Sequence, residues 1–293
     1  MGPSAGQAFV FLGSPSGPGV APDWASNVGG PGDETGCAVA AAGDVNGDGY
    51  CDVIVGARLA AVEGAAYCFL GSPTGLAATP VWTRTGVQTG EWFGHAVASC
   101  DKDGDGYSDL FVGAPYYDVL QPDQGRVLGY RGGPTGPDTT APWQWDGSQF
   151  APAQSGLNLG YAVSGVAAPD VWGDGIAFSS PWYDHGGLVE AGLVHFENAT
   201  VSVDLYGTQA GEHFGFSLAD AGDANGDSRG NLIIGSPNKT SSFTNEGGWC
   251  VLETWVMGTQ WAYSGQTYAQ GGFAVGAGDW NGDGLADPVA SAP

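Results

Sequence analysis

The chain has 293 residues, 31 acidic against 7 basic, and a formal net charge of -24, with 53 glycines and 18 prolines. So few bases cannot form a phosphate-binding stripe or dock on an anionic membrane, and glycine and proline interrupt too many windows for long helices. With 11 Trp, 11 Tyr, 12 Phe and 42% hydrophobic residues the chain can bury a core rather than stay disordered, and its acidity calls for a cationic partner, most simply a metal ion.

The first legible element is Ala8-Phe-Val-Phe-Leu12, a short apolar strand. A tight turn, Gly13-Ser-Pro-Ser-Gly17, follows it, and then Trp24. The same trio returns as Ala66–Leu70, Gly71–Gly75 and Trp82, and as Val127–Tyr130, Gly132–Gly136 and Trp143. Proline fixes φ and glycine permits positive φ in such turns. The tryptophans mark a further, outer strand. Leu193–Phe196 and Trp249–Leu252 continue the apolar series.

Between these trios lies a second recurring unit. A strand of small residues, Cys37-Ala-Val-Ala, leads into Asp44-Val-Asn46-Gly-Asp48-Gly-Tyr50-Cys-Asp52 and out through Val53-Ile-Val-Gly-Ala57. It recurs as His95-Ala-Val-Ala, the loop Asp101, Asp103, Asp105, Tyr107, Asp109, and Leu110-Phe-Val-Gly-Ala-Pro115. The next intact copy is Phe216-Ser-Leu-Ala, the loop Asp223, Asn225, Asp227, Arg229, Asn231, and Leu232–Pro237. The last is Phe273-Ala-Val-Gly, the loop Asp279, Asn281, Asp283, Leu285, Asp287, and Pro288–Pro293. The first two loops start 57 residues apart and the last two 56. The middle gap of 122 residues predicts one degenerate copy, found from Leu159 through Asp170 and Asp174 to Pro181.

Five repeats of four short antiparallel strands predict an all-β chain folded as a single β-propeller domain over 1–293. The repeats run at about 6–63, 64–124, 125–191, 192–247 and 248–293. Small inner strands suit the crowded centre, and aromatics fill the wedge-shaped gaps further out. The chain opens before a third strand and stops after a second. Pairing of these N- and C-terminal half-blades would close a five-bladed ring; the alternative is part of a seven-bladed ring. The opening Met1-Gly-Pro-Ser4 lacks the character of a leader, and no apolar run is long enough to span a bilayer.

The loops follow D-x-[DN]-x-D-G-x-x-[DN]. Oxygens at positions 1, 3, 5 and 9, with the backbone carbonyl of position 7 (Tyr50, Tyr107, Arg229, Leu285), suit a hard cation. Calcium takes six to eight oxygens at about 2.3–2.6 Å; magnesium fits such loops less well. An EF-hand is excluded, because position 12 holds Val55, Val112, Ile234 and Ala290 instead of Glu, and the flanks alternate like strands. Four such loops predict about four calcium ions. The second loop carries four carboxylates, whereas the fourth-repeat loop has two and Ser228 in place of the turn glycine, so it should bind weakest.

Together these residues resemble the FG-GAP repeats of the integrin α-subunit β-propeller. Phe93-Gly94 and Phe214-Gly215 match the first element, Gly113-Ala114-Pro115 the second, and the acidic loop between them the family's calcium loop. The chain departs in having Phe in two of five first elements, five repeats rather than seven, and a third repeat without its acidic loop. The resemblance implies an extracellular, secreted or cell-surface adhesion and protein-recognition scaffold with no enzymatic activity. It also implies a β-subunit partner that this chain does not encode.

No hydrolase, zinc-protease, P-loop or dinucleotide signature is present. His95, His185, His195 and His213 are expected in structural or surface roles. The alternatives are a carbohydrate-binding, lectin-like propeller and, behind it, a polysaccharide-degrading enzyme. Trp92, Trp172, Trp182 and Trp280 fall near loops, as blade packing or as a protein or glycan surface. Cys51 and Cys68 could meet across a hairpin, as a disulfide or as unpaired thiols. Asn198-Ala-Thr200 and Asn238-Lys-Thr240 are glycosylation sequons.

Overall fold

A computed structural model describes residues 5–150, 154–167, 174–253, 258–263 and 266–293. Asp170 and Trp172 lie outside the described residues. The described chain is all β, with two single-turn 3₁₀ segments at Ala60–Val62 and Gly147–Gln149. A two-stranded half-blade comes first, β1 (Phe9–Val10) with β2 (Trp24–Ala25). Blade one is β3 (Thr35–Gly43), β4 (Asp52–Ala57), β5 (Ala65–Phe69) and β6 (Trp82–Thr85). Blade two is β7 (Ala96–Cys100), β8 (Asp109–Ala114), β9 (Arg126–Tyr130) and β10 (Trp143–Asp146). Blade three is β11 (Val163–Val166), β12 (Gly175–Ser180), β13 (Leu193–Glu197) and β14 (Ser202–Tyr206). Blade four is β15 (Ser217–Gly222), β16 (Asn231–Ser236), β17 (Gly248–Glu253) and β18 (Gly258–Tyr263). A second half-blade, β19 (Val275–Gly278) with β20 (Asp287–Ala290), ends the chain. Every pairing is antiparallel between sequential strands.

The inner strands lie side by side in succession: β3 against β7, then β11, β15 and β19. The core is a set of layers between blades. Strand alternation supplies both sides of each layer. Leu110 and Val112 of β8 join Ile54, Cys68 and Trp82 of blade one, while Phe111 joins Phe178 and Leu193 of blade three. Val194 and Phe196 join Leu232, Ile234 and Leu252 of blade four in the same way. Fully burying one such side chain is worth ~1.5–3 kcal/mol. The predicted outer-strand markers hold: Trp24, Trp82 and Trp143 each open a fourth strand. The indole N–H of Trp24 donates to the Ala77 carbonyl at 3.0 Å, and that of Trp82 to the Asp138 carbonyl at 2.8 Å, tying each blade to the next.

The glycine-rich elements follow from how closely the blades approach. The N–H of Gly94 donates to the carbonyl of Gly113 at 3.1 Å within blade two. The carbonyl of Gly94 in turn points at Gly56 of blade one, where an added Cβ would lie 2.0 Å from that oxygen. A Cβ added at Gly113 would likewise lie 2.1 Å from the Gly160 carbonyl oxygen, and one at Gly235 would lie 2.1 Å from that of Gly272. Backbone thus packs on backbone between neighbouring blades, and no side chain fits. Gly94 also sits at φ +87, which excludes most other residues. The third repeat keeps the contact with Ser179, whose Cβ lies 2.8 Å from the Cβ position of Gly215.

Two buried ion pairs anchor the segments that connect one blade to the next, at Glu91 between β6 and β7 and at Glu212 between β14 and β15. Glu91 accepts from the N–H groups of Val87 and Gln88 (3.1 Å to the latter) and pairs with Arg126 at 2.8 Å. Glu212 accepts from Thr208 N–H at 2.7 Å and Gln209 N–H at 3.0 Å and pairs with Lys239 at 2.7 Å. Beside them runs a repeated amide clamp. The side chain of Gln88 exchanges two hydrogen bonds with the Asp118 backbone, Gln154 with Asp184, and Gln209 with Thr240.

One expectation needs correction. The described terminal half-blades do not join: β1 pairs with β2 and β20 with β19, as separate sheets. Pro288 stands in β20 where Leu110 and Leu232 stand in complete blades, and it brings no N–H to a further strand. Of the two alternatives for Cys51 and Cys68, the structure has the unpaired thiols; all five cysteines are free. Cys68 faces Ile54 across the hairpin, and Cys51 lies ahead of β4 in the exposed loop. Burial raises the Cys68 thiol out of the reactive range.

Candidate metal centre

Each inner hairpin runs from its FG-type element to an acidic loop and back to its GAP-type element. The loops therefore gather at one end of the blades, and the glycine elements at the other. The intact loops share one internal bonding scheme. In the first, Asp44 Oδ1 accepts from Gly47 N–H at 2.7 Å and Asp48 N–H at 3.0 Å, and its Oδ2 accepts from Gly49 N–H at 2.7 Å. Asp101, Asp223 and Asp279 repeat this. Position 5 closes the turn: Asp48, Asp105, Asp227 and Asp283 each accept from the N–H of position 7.

Position 4 is glycine at φ 73 to 80 in all four loops, so the glycine shared by the four sequence copies answers a backbone requirement rather than a ligand one. At position 6, Gly49, Gly106 and Gly284 lie at φ 87 to 89, and Ser228, the one residue there that is not glycine, is held at φ 64 at a cost in strain.

Position 9 is a latch. Asp52 accepts from Val45 N–H at 2.9 Å and from Gly71 N–H, after the third strand, at 2.7 Å. Asp109 accepts likewise from Lys102 and Gly132 at 2.9 Å each. Asn231 accepts from Ala224 and Asp287 from Trp280. A carboxylate has further lone pairs after two such bonds. Burial raises both Asp52 and Asp109, the latter to about 7, against the pull of those N–H groups. A divalent cation beside such a group would favour its charged form.

The residues fit a hard cation. Carboxylate oxygens of Asp101, Asp103 and Asp109 lie within 4.8 Å of one another. Ligands on opposite sides of one calcium ion are separated by about 5 Å. The donor set is oxygen only, which suits calcium over zinc or copper. The other loops replace the position-3 carboxylate with an amide, Asn46, Asn225 or Asn281. In the second loop Arg131 Nε donates to Asp103 Oδ2 at 2.6 Å, so an ion there would share Asp103 with a guanidinium.

The opposite end carries rings. Trp92 meets Tyr116 at 4.5 Å and His95 at 5.7 Å, His95 meets Tyr161 at 4.9 Å, and Tyr161 meets Trp182 at 4.7 Å and Phe216 at 5.4 Å. Phe216 meets Phe273 at 5.0 Å, and the Arg58 guanidinium lies over Trp92 at 4.5 Å. Burial, helped by Arg58, pulls His95 down to about 4, so its ring is neutral. An open cleft of about 890 Å³ adjoins this arc, bordered by Tyr116, Gln121, Ser155, Asn158, Trp182 and Glu190. His195 is buried in blade three, with Nδ1 2.7 Å from Asp204. Its neighbour Glu197 is drawn down to about 2 by His195 and Lys102.

A model of the FG-GAP repeat matches residues 93–130, from Phe93-Gly94 through the second loop to the end of β9. The chain is an integrin-like FG-GAP propeller. This FG-GAP propeller is 30% identical to integrin alpha-3 of Cricetulus griseus over 156 residues, 52% of the chain and 15% of the relative. It is 31% identical to integrin alpha-4 of Xenopus laevis over 205 residues, 64% of the chain and 18% of the relative. With integrin alpha-V of Gallus gallus it shares 29% over 213 residues, 67% and 19% respectively. The propeller thus spans less than a fifth of the length of these relatives. No helix among its described residues is long and apolar enough to cross a membrane.

Proposed function

We propose that the chain is a calcium-stabilised, non-enzymatic scaffold for extracellular recognition, secreted or displayed at the cell surface, whose four acidic loops each hold one cation. The observation that carries this reading is the common bonding scheme of four loops, with the carboxylates of Asp101, Asp103 and Asp109 brought within 4.8 Å. Without a cation these groups repel at close range. Each ion would fasten the two innermost strands of its blade, and would bind the folded chain only. Integrin α relatives support an adhesion role with a protein ligand, and the arc of rings from Trp92 to Phe273 is the surface we assign to that ligand.

The cleft beside Tyr116 and Trp182 favours a second reading, a carbohydrate ligand, because rings flanked by amides and hydroxyls match sugar faces and edges. A glycan array separates the two ligand classes. The scaffold reading is tested by melting the protein with and without chelator. Calcium at a hundredfold over its dissociation constant adds about 2.7 kcal/mol per site. EDTA should lower the melting temperature by several degrees or more, with recovery in excess calcium; an unchanged melt rejects the role.

A further inference from the structure

The acidic loops are not independent units. Ser108, at position 8 of the second loop, donates its N–H to the Asp44 carbonyl of the first loop at 3.0 Å. Ala286, at position 8 of the last loop, donates to the Asp223 carbonyl of the fourth-repeat loop at 2.8 Å. Position 7 reinforces each contact. The Tyr107 ring lies on Gly47, 2.6 Å from where a Cβ would stand, and Leu285 lies on Gly226 at 3.5 Å by the same measure. The glycine before each preceding loop leaves room for the position-8 side chain: Gly43 for Ser108, and Gly222 for Ala286. The degenerate third repeat interrupts the series. There the carboxylate of Asp174 accepts the Asp101 N–H at 3.1 Å, and Ala167 takes the place of a first-position aspartate beneath Gly230.

We infer that the first and the fourth-repeat cation sites each extend into the following repeat, with Tyr107 and Ser108 as positioning residues for the first loop and Leu285 and Ala286 for the fourth-repeat loop, so that the ions bind as two coupled pairs. This rests on the proposed cation role of the loops. The physical cause is shared ordering. An ion that fixes positions 5 to 9 of one loop also fixes the N–H and side chain that brace position 1 and position 4 of its neighbour. The neighbour then loses less freedom on binding, which is positive coupling. Linkage makes the effect reciprocal within a pair. The repeat between the second loop and the fourth-repeat loop lacks the acidic motif that would carry such a path.

The test is calorimetric titration of calcium into the full chain and into Asp103→Asn/Asp105→Asn, which disables the second loop while keeping Asp101 and Asp109. One binding event should vanish and one of the other three should weaken by roughly fivefold or more. Adding Asn46→Ala/Asp48→Ala should then remove the weakened event and leave the remaining two unchanged. Tyr107→Ala keeps every carboxylate and should weaken the first-loop event by several-fold, its fold checked by circular dichroism. Three unchanged events in the first variant, or equal weakening of all three, overturn the coupling while leaving the cation role intact. A wild-type chain that takes up no calcium overturns both.

Discussion

Gly113→Ala is expected to destabilise the propeller by about 3 kcal/mol or more, the upper end of overpacking costs. Alanine suits the β-region backbone at this position, so the effect comes from the neighbouring blade alone. The new methyl would stand 2.1 Å from the Gly160 carbonyl oxygen, 3.0 Å from its carbon and 3.3 Å from its Cα. All three atoms are backbone, and no rotamer change relieves the clash. Blades two and three must part, which also disturbs the layer holding Phe111, Phe178 and Leu193. Gly133→Ala is the control: nothing lies within 4 Å of its Cβ position, and the change should stay within about 0.5 kcal/mol. Urea unfolding of both variants checks the pair. A small loss at Gly113 would mean that the blades do not approach as described.

Lys239→Met is expected to cost about 3–5 kcal/mol, because it leaves the Glu212 carboxylate buried without its cation. Glu212 is fully enclosed and Lys239 nearly so, at 0% and 6% side-chain exposure. The carboxylate would retain Thr208 N–H, Gln209 N–H and the Ser236 hydroxyl, which satisfy hydrogen bonds but supply no compensating charge. Replacing both partners, as in Glu212→Leu/Lys239→Met, should cost less than the sum of the single changes, since no orphan charge remains. Strict additivity in denaturant melts would contradict a direct pair.

These two features also show where the sequence stops being informative. Strand order, the outer-strand tryptophans and the four loops were legible because each depends on residue type at a fixed spacing within one repeat. Asp44, Asp101, Asp223 and Asp279 take the same local bonds wherever the motif occurs. The ion pair Glu91–Arg126 crosses from one repeat to the next, Glu212–Lys239 lies within one repeat, and the basic residue occupies a different place in each. No period exposes them. The amide clamp did leave a trace, Gln-x-Gly ahead of Phe93 and Phe214 and, with Gln154, ahead of Leu159. Its meaning appears only once the loops face each other. The joining of the half-blades was inferred from strand count, and counting strands takes no account of Pro288 in the pairing position.

The central claim is that four oxygen-rich loops each hold a divalent cation, and elemental analysis of protein purified without chelator tests it most directly. The account predicts about four calcium ions per chain, falling to about three in Asp103→Asn/Asp105→Asn. Native protein that is folded and carries no calcium would contradict it.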